Sequence, residues 1–201
     1  LKGSEAENIS FDFLGGHIYL NASVNGKKGK FVLDSGAEKS LLDDQFCKIL
    51  GLEQKGIIKG HGGGADSVDL SFAVCKNISV DGITLHNQTL LTWDLSKIFK
   101  ASTGIEVAGL FGFDLMSRFI TKIDFAGQLI SFYDPKDFKY AGNGTIIKFE
   151  LSGNLVRIPL TIDNKHTGFF RVDTGAGGIS FHYPFAKDND FDKKQGFIGI
   201  A

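Results

Sequence analysis

Short runs of hydrophobic positions, partly alternating with polar ones, fill most of this chain, and glycine-containing turns punctuate them. Ile18 to Val24 is strand-like, and Asn25-Gly26 after it is the strongest short hairpin signal. Gly29 to Leu33 returns as a strand and delivers Asp34. From Ser40 to Leu52 the period changes. Phe46, Ile49 and Leu50 form a helical stripe, with Ser40 or Asp43 as the cap and Gly51 as the stop. Ile57-Ile58 and Val68 to Val74 are strand-like on either side of Gly60-His61-Gly62-Gly63-Gly64, which predicts a hairpin with a mobile glycine tip. Ile78 to Leu91 adds two strands around Asp81-Gly82. Ala108 to Met116 joins an apolar, glycine-rich run to a short helix. Ile120 to Phe125 and Gln128 to Tyr133 are strands turned at Ala126-Gly127. Pro135 and Ala141 to Gly144 mark a boundary.

From Thr145 the pattern restarts. Leu155 to Ile162 is strand-like, Asp163 to Gly168 turns, and Phe169 to Val172 delivers Asp173. Phe31-Val32-Leu33-Asp34-Ser35-Gly36-Ala37 and Phe170-Arg171-Val172-Asp173-Thr174-Gly175-Ala176 are two copies of one pattern, 139 residues apart (173 − 34). Gly29 and Gly168 each precede their Asp by five residues. Val24 precedes it by ten and Ile162 by eleven, so the second copy has one extra turn residue. So long a period means two lobes and not a solenoid array. The boundaries fall at 8–140 for a first lobe and 145–201 for the N-terminal half of a second. The distance from Asp173 to Ala201, counted from Asp34, ends at Gly62 inside the glycine hairpin. The expectation is therefore an all-β, two-lobed fold with few short helices and an incomplete second lobe. That lobe would be truncated, cleaved, or completed by a missing C-terminal segment or a second chain.

Composition narrows the function. The 201 residues are 42% hydrophobic, enough for a core, and contain 26 Gly, 19 Phe and only 3 Pro, which suits sheets with tight turns. A net charge of −1 gives no case for nucleic acid. No apolar run approaches the roughly 20 residues of a membrane span. Cys47 and Cys75 are too few for a disulfide framework and read as buried thiols. His17, His86, His166 and His182 show no metal-ligand spacing, so no metal is expected. Trp93 reads as core or cleft wall, and Asp66 and Asp69 as a solvated strand face. The start at Leu1 is weak support for export.

The duplicated triplet carries the chemistry. A carboxylate at the end of a buried strand is costly to desolvate. Finding that cost twice, in the same setting, points to two carboxylates that meet and share a proton. Ser35 and Thr174 would supply hydroxyls to a network behind them, and Gly36 and Gly175 a tight turn that leaves the face above each Asp open. Two carboxylates so placed cannot both ionise. The charged one takes a proton from water, and the neutral one donates to a carbonyl oxygen, with no metal or organic cofactor. The bland alternative makes Asp34 and Asp173 ordinary turn residues.

With these residues in hand, the chain resembles the retropepsin-like aspartic proteases, specifically the bacterial two-copy members. Asp34-Ser35-Gly36-Ala37, the hairpin Gly60, His61, Gly62, Gly63, Gly64, and Leu110-Phe111-Gly112 before a short helix match in order. The resemblance implies a pepsin-like acid protease fold, Asp34 and Asp173 as the catalytic dyad, and Ser35, Gly36, Thr174 and Gly175 as its support. It also implies a flap at Gly60 to Gly64 and Leu110 to Gly112 packed behind the Asp34 loop. The implied activity is endopeptidase cleavage of extended polypeptides without a cofactor. The implied location is extracytoplasmic: periplasmic, secreted or surface-anchored. A bacterial source would leave Asn77-Ile78-Ser79 and Asn87-Gln88-Thr89 unglycosylated. His61 would be either a substrate contact or, more commonly, an exposed loop histidine. The sequence departs from symmetry where Gly177-Gly178 stands in place of Glu38-Lys39. Two rival readings remain. One is a non-catalytic peptide-binding or scaffold protein that keeps the fold. The other is a phosphotransferase of the actin and sugar-kinase type, for which the chain is too short.

Overall fold

A computed structural model describes residues 5–61 and 67–193. Among these described residues, eleven strands and three helices precede Asp134 in chain order. They are β1 (Glu5–Ser10), β2 (Asp12–Leu14), β3 (His17–Val24), β4 (Lys27–Leu33), β5 (Leu41–Asp43), α1 (Asp44–Ile49), β6 (Lys55–His61), β7 (Ser67–Val80), β8 (Ile83–Trp93), α2 (Ser96–Thr103), β9 (Gly109–Phe111), α3 (Phe113–Met116), β10 (Ile120–Asp124) and β11 (Leu129–Tyr133). After it come β12 (Glu150–Ser152), β13 (Leu155–Ile162), β14 (His166–Arg171), α4 (Tyr183–Asp188) and a 3-10 turn, Phe191–Lys193. The fold is all-β with few short helices. Among the described residues no helix is long and apolar enough to cross a membrane.

Eight strands form one sheet in the order β2-β3-β4-β9-β5-β8-β7-β6. A further pairing of β3 with β7 closes β3, β4, β9, β5, β8 and β7 into a ring. Strand alternation then decides which side chains go where. On β4, Phe31 and Leu33 enter the main core with Leu20, Leu42, Ile78 and Leu90. Val32, between them, joins a second cluster with Tyr19, Phe99 and Leu110. Trp93 is half-buried against that second cluster. β1, β11 and β10 form a separate antiparallel sheet, and Ile130 and Phe132 of β11 pack onto the main core. Cys47 and Cys75 are free and buried in that core, and burial pushes each thiol up to about 11.

The Asn25-Gly26 turn has positive φ at both residues (49° and 84°), the twist a two-residue hairpin needs. The helix expected from Ser40 to Leu52 is shorter. Leu41–Asp43 is strand β5, held between β8 and β9, and only Asp44–Ile49 is helical. Sheet pairing on both edges outweighs the local helical stripe there. Asp43 is the cap: its Oδ1 accepts from the N–H groups of Gln45 (2.9 Å) and Phe46 (3.2 Å). Its Oδ2 accepts from the Ser96 N–H at 2.9 Å, so one buried carboxylate serves the starts of α1 and α2. Ser40 caps nothing. Val68 to Val74 and Ile78 to Val80 belong to one strand, β7. α2 and α4 have no counterpart in the sequence reading.

β12, β13 and β14 form a three-stranded sheet with β14 at its edge. The repeat is visible in side-chain detail. Ile162 pairs with His166 across three residues where Val24 pairs with Lys27 across two, which is the extra turn residue. α1 and α4 each begin ten residues after their Asp. Phe46 meets Phe31 edge to face at 6.1 Å, and Phe185 meets Phe170 edge to face at 5.8 Å. Both phenylalanines also lie over a glycine. A Cβ on Gly29 would stand 3.3 Å from the Phe46 ring, and one on Gly168 would stand 2.9 Å from the Phe185 ring.

Candidate active site

β4 ends at Leu33 and β14 at Arg171, and the two Asp loops that follow face each other. Their hydroxyl residues are crossed. The Ser35 N–H donates to Thr174 Oγ1 at 3.0 Å, and the Thr174 N–H donates to Ser35 Oγ at 3.0 Å. Each hydroxyl then donates across to the carbonyl before the opposite Asp: Ser35 to Val172 and Thr174 to Leu33, both at 2.8 Å. Four hydrogen bonds thus tie residues 137 to 141 apart with approximate two-fold symmetry. A Ser and a Thr do the same work because both donate and accept through one oxygen.

The carboxyl groups sit above this brace. Asp34 Oδ1 accepts from the Gly36 N–H and Asp173 Oδ1 from the Gly175 N–H, each at 2.9 Å. The two carboxyl groups lie close enough for the charge of Asp173 to act on Asp34. Each carboxylate also lies against the opposite triplet's glycine. A Cβ on Gly36 would collide with the Asp173 carboxylate, and one on Gly175 with that of Asp34. Glycine is needed here for close approach and not for an unusual φ. Burial, and then the charge of Asp173, push the Asp34 carboxyl up to about 6, against the pull of the Gly36 N–H.

Behind the Asp34 loop stand Leu110, Phe111 and Gly112. The Asp34 N–H donates to the Phe111 carbonyl at 2.9 Å, and the Phe113 N–H to the Ala37 carbonyl at 2.8 Å. A Cβ on Gly112 would be 2.7 Å from the Lys39 carbonyl carbon. Two residues here escaped the sequence reading. Ser40 Oγ donates to Asp114 Oδ1 at 2.7 Å and accepts from the Gly112 N–H at 2.9 Å, which locks the loop to β9 and α3. Ser40 is fully buried. No local pattern marks it, because its partners lie more than 70 residues away. The loops four residues past each Asp also touch the other lobe. Gly177 backs onto Gly16, and Glu38 faces Gly153.

Gly60 and His61 lie at the end of β6, where Gly60 pairs with Val68 and His61 with Ser67 of β7. Gly62, Gly63 and Gly64 of the expected flap, and Asp66, lie outside the described residues. Asp69 is exposed and pairs with Lys59 at 2.5 Å. Among the described residues, no group of three His, Cys, Asp or Glu side chains comes together to hold a metal ion.

Part of the chain is similar to known proteins. Residues 20–115 match the family model described as aspartyl protease. These residues, somewhat under half of the chain, are similar to aspartyl proteases. The match includes Asp34 and ends before Asp173. DNA damage-inducible protein 1 of Yarrowia lipolytica is 30% identical over 103 residues, covering 44% of this chain. The chain spans about a quarter (25%) of that relative's length. A retropepsin-like aspartic protease from Rickettsia conorii is similar at 22% identity and a TM-score of 0.47, over 64% of this chain and 89% of that one. The retroviral protease-like domain of Ddi1 from Leishmania major is similar at 14% identity and a TM-score of 0.35, over 64% and 99%. With a yeast among the sources, these relatives give no support to a specifically bacterial origin.

Proposed function

We propose that the protein is an aspartic endopeptidase in which Asp34 and Asp173 activate one water against an extended polypeptide. The observation that carries this reading is the pair of carboxyl groups above the crossed Ser35 and Thr174, each lying against the opposite triplet's glycine. One of the two carboxyl groups holds the proton that the pair shares. The charged one takes a proton from water while the water oxygen bonds to the peptide carbonyl carbon. The neutral one gives its proton to the carbonyl oxygen. The tetrahedral diol then collapses. The C–N bond breaks, the carboxyl that took the proton from water gives it to the leaving amine nitrogen, and a diol hydroxyl returns its proton to the other carboxylate. The pair titrates as a unit. Substrate would lie as a strand between the lobes, under the hairpin that β6 and β7 begin.

Asp34→Asn and Asp173→Asn test this. Each is expected to cut turnover of casein or a peptide library by about 10²–10⁴-fold without changing the circular dichroism spectrum. Turnover within about tenfold of the unsubstituted chain in either variant would end the shared-dyad mechanism.

One observation favours a second reading. β14 is an edge strand, and the described residues of the second lobe contain no second flap and no second apolar-Gly element. A chain in this state would bind peptide without cleaving it. Binding with no turnover at any pH from acidic to neutral would establish that reading over the first.

A further inference from the structure

A cavity of about 30 Å³ opens beside the core of the first lobe. Leu33, Phe111 and Leu115 form its floor and are buried. Leu85, Met116 and Phe119 form its rim and are half-buried, so the space reaches the surface there. Every side chain that lines it is apolar, and no polar atom faces it. A buried water needs about two to four polar partners, which this space does not offer. The space exceeds the roughly 10–15 Å³ that one water-sized group requires and falls far below the roughly 150 Å³ that takes a benzene ring. It therefore fits the end of an unbranched alkyl chain, not a ring or a branched side chain. Filling it would regain the contacts that an empty apolar space forfeits.

A cation stands at the rim. Arg118 lies in the chain between Met116 and Phe119. Its Nε donates to the Asp114 carbonyl at 3.1 Å, and its Nη2 donates to Gln88 Oε1 at 2.8 Å. On β7 and β8, Gln88 lies opposite Cys75 and Leu85 lies opposite Ile78, and opposite residues share a face of the sheet. Cys75 and Ile78 are buried in the core. Gln88 thus draws the guanidinium over the core side of this strand pair, where Leu85 lines the cavity. Among the described residues both partners of Arg118 are neutral oxygens, and no carboxylate pairs with it. We infer that the cavity and Arg118 together form a binding site for an unbranched alkyl carboxylate. The hydrocarbon end fills the space. The carboxylate accepts from the guanidinium donors that Asp114 and Gln88 leave free. A bound chain would also pack the floor under the Asp34 loop, since Leu33 precedes Asp34 and the Phe111 carbonyl accepts the Asp34 N–H at 2.9 Å. The inference rests on the cavity and the cation and not on catalysis.

The test adds sodium octanoate, below its micelle-forming concentration, to the 201-residue chain. It follows the methyl NMR signal of Met116, the only methionine in the sequence. That signal is expected to shift saturably. Leu85→Phe narrows the mouth and should weaken binding by at least about fivefold. Arg118→Gln should weaken octanoate by about three- to fivefold and leave octanol unchanged. Ile179→Asp, at an exposed apolar residue outside the cavity, should change neither. Circular dichroism checks that each variant is folded. Should Leu85→Phe misfold, Arg118→Gln still decides, because Arg118 is exposed. The inference is overturned if octanoate leaves the Met116 signal unmoved, or if binding is undiminished in folded Leu85→Phe. It is also overturned if Arg118→Gln leaves octanoate binding unchanged, or if Ile179→Asp abolishes it, which would place the chain on another apolar surface. Binding is read without turnover, so failure here leaves the catalytic reading standing, and failure of catalysis leaves this one standing.

Discussion

Ser35 and Thr174 hold each other by backbone and hydroxyl alike: each N–H donates to the other's side-chain oxygen at 3.0 Å. The pair is a joint between two lobes as well as a floor under two carboxyl groups. Removing either hydroxyl strands an N–H and a carbonyl, both on the opposite loop. Ser35→Ala and Thr174→Val are each expected to lower stability by about 1–3 kcal/mol, read as a lower urea midpoint. The double variant should lose less than the sum of the two, because the partners share their bonds.

The glycines of the triplets admit a sharper test. Gly36→Ala and Gly175→Ala place a methyl group where the opposite carboxylate now lies. A displacement of about 1 Å is enough to cost on the order of a hundredfold in rate, so kcat should fall by at least that much. Gly178, also in the second loop, has open space around its Cα and no positive φ. Gly178→Ala should leave both rate and urea midpoint nearly unchanged, within about 0.5 kcal/mol.

Asp34 sets a pH dependence of stability with a definite sign. Its carboxyl is pushed from 3.8 up to about 6 by burial and by Asp173. The folded state therefore binds this proton more tightly than the unfolded state. That contribution is fully present below about pH 3.8 and is lost as pH rises through about 6. Between these values stability should decline by roughly 2 kcal/mol, measured by chemical unfolding at stepped pH. Asp34→Asn should flatten the decline. Peptidase activity should fall over the same upper limb, as the pair loses its shared proton.

Asp43 joins two helix starts through one carboxylate. Asp43→Ala would leave three N–H groups without that acceptor and should destabilise by about 2–3 kcal/mol. Asp43→Asn keeps an acceptor oxygen and should recover part of the loss. Thermal or urea unfolding of the two variants side by side decides this.

The duplicated triplet, the Asn25-Gly26 turn and most of the strands were legible because each is a local pattern: a residue type at a fixed offset, or a period of two. β5 was not legible. Leu41 to Asp43 carries a helical stripe's beginning, and only pairing to β8 and β9 makes it a strand. Ser40 was misread for the same reason, since its role is set by Gly112 and Asp114, far along the chain. α2 has no distinctive local signature, and its start is fixed by Asp43 from another part of the chain.

The sequence alone determined that two acidic loops of one design exist, each behind a hairpin and each flanked by aromatic residues. Covalent order and local backbone preference suffice for that. Only the tertiary structure decided that Ser35 and Thr174 cross and that each carboxylate rests on the other loop's glycine. It also decided that β14 lies at an edge of its sheet among the described residues. Those facts depend on contacts between residues about 139 positions apart, which no short-range pattern encodes.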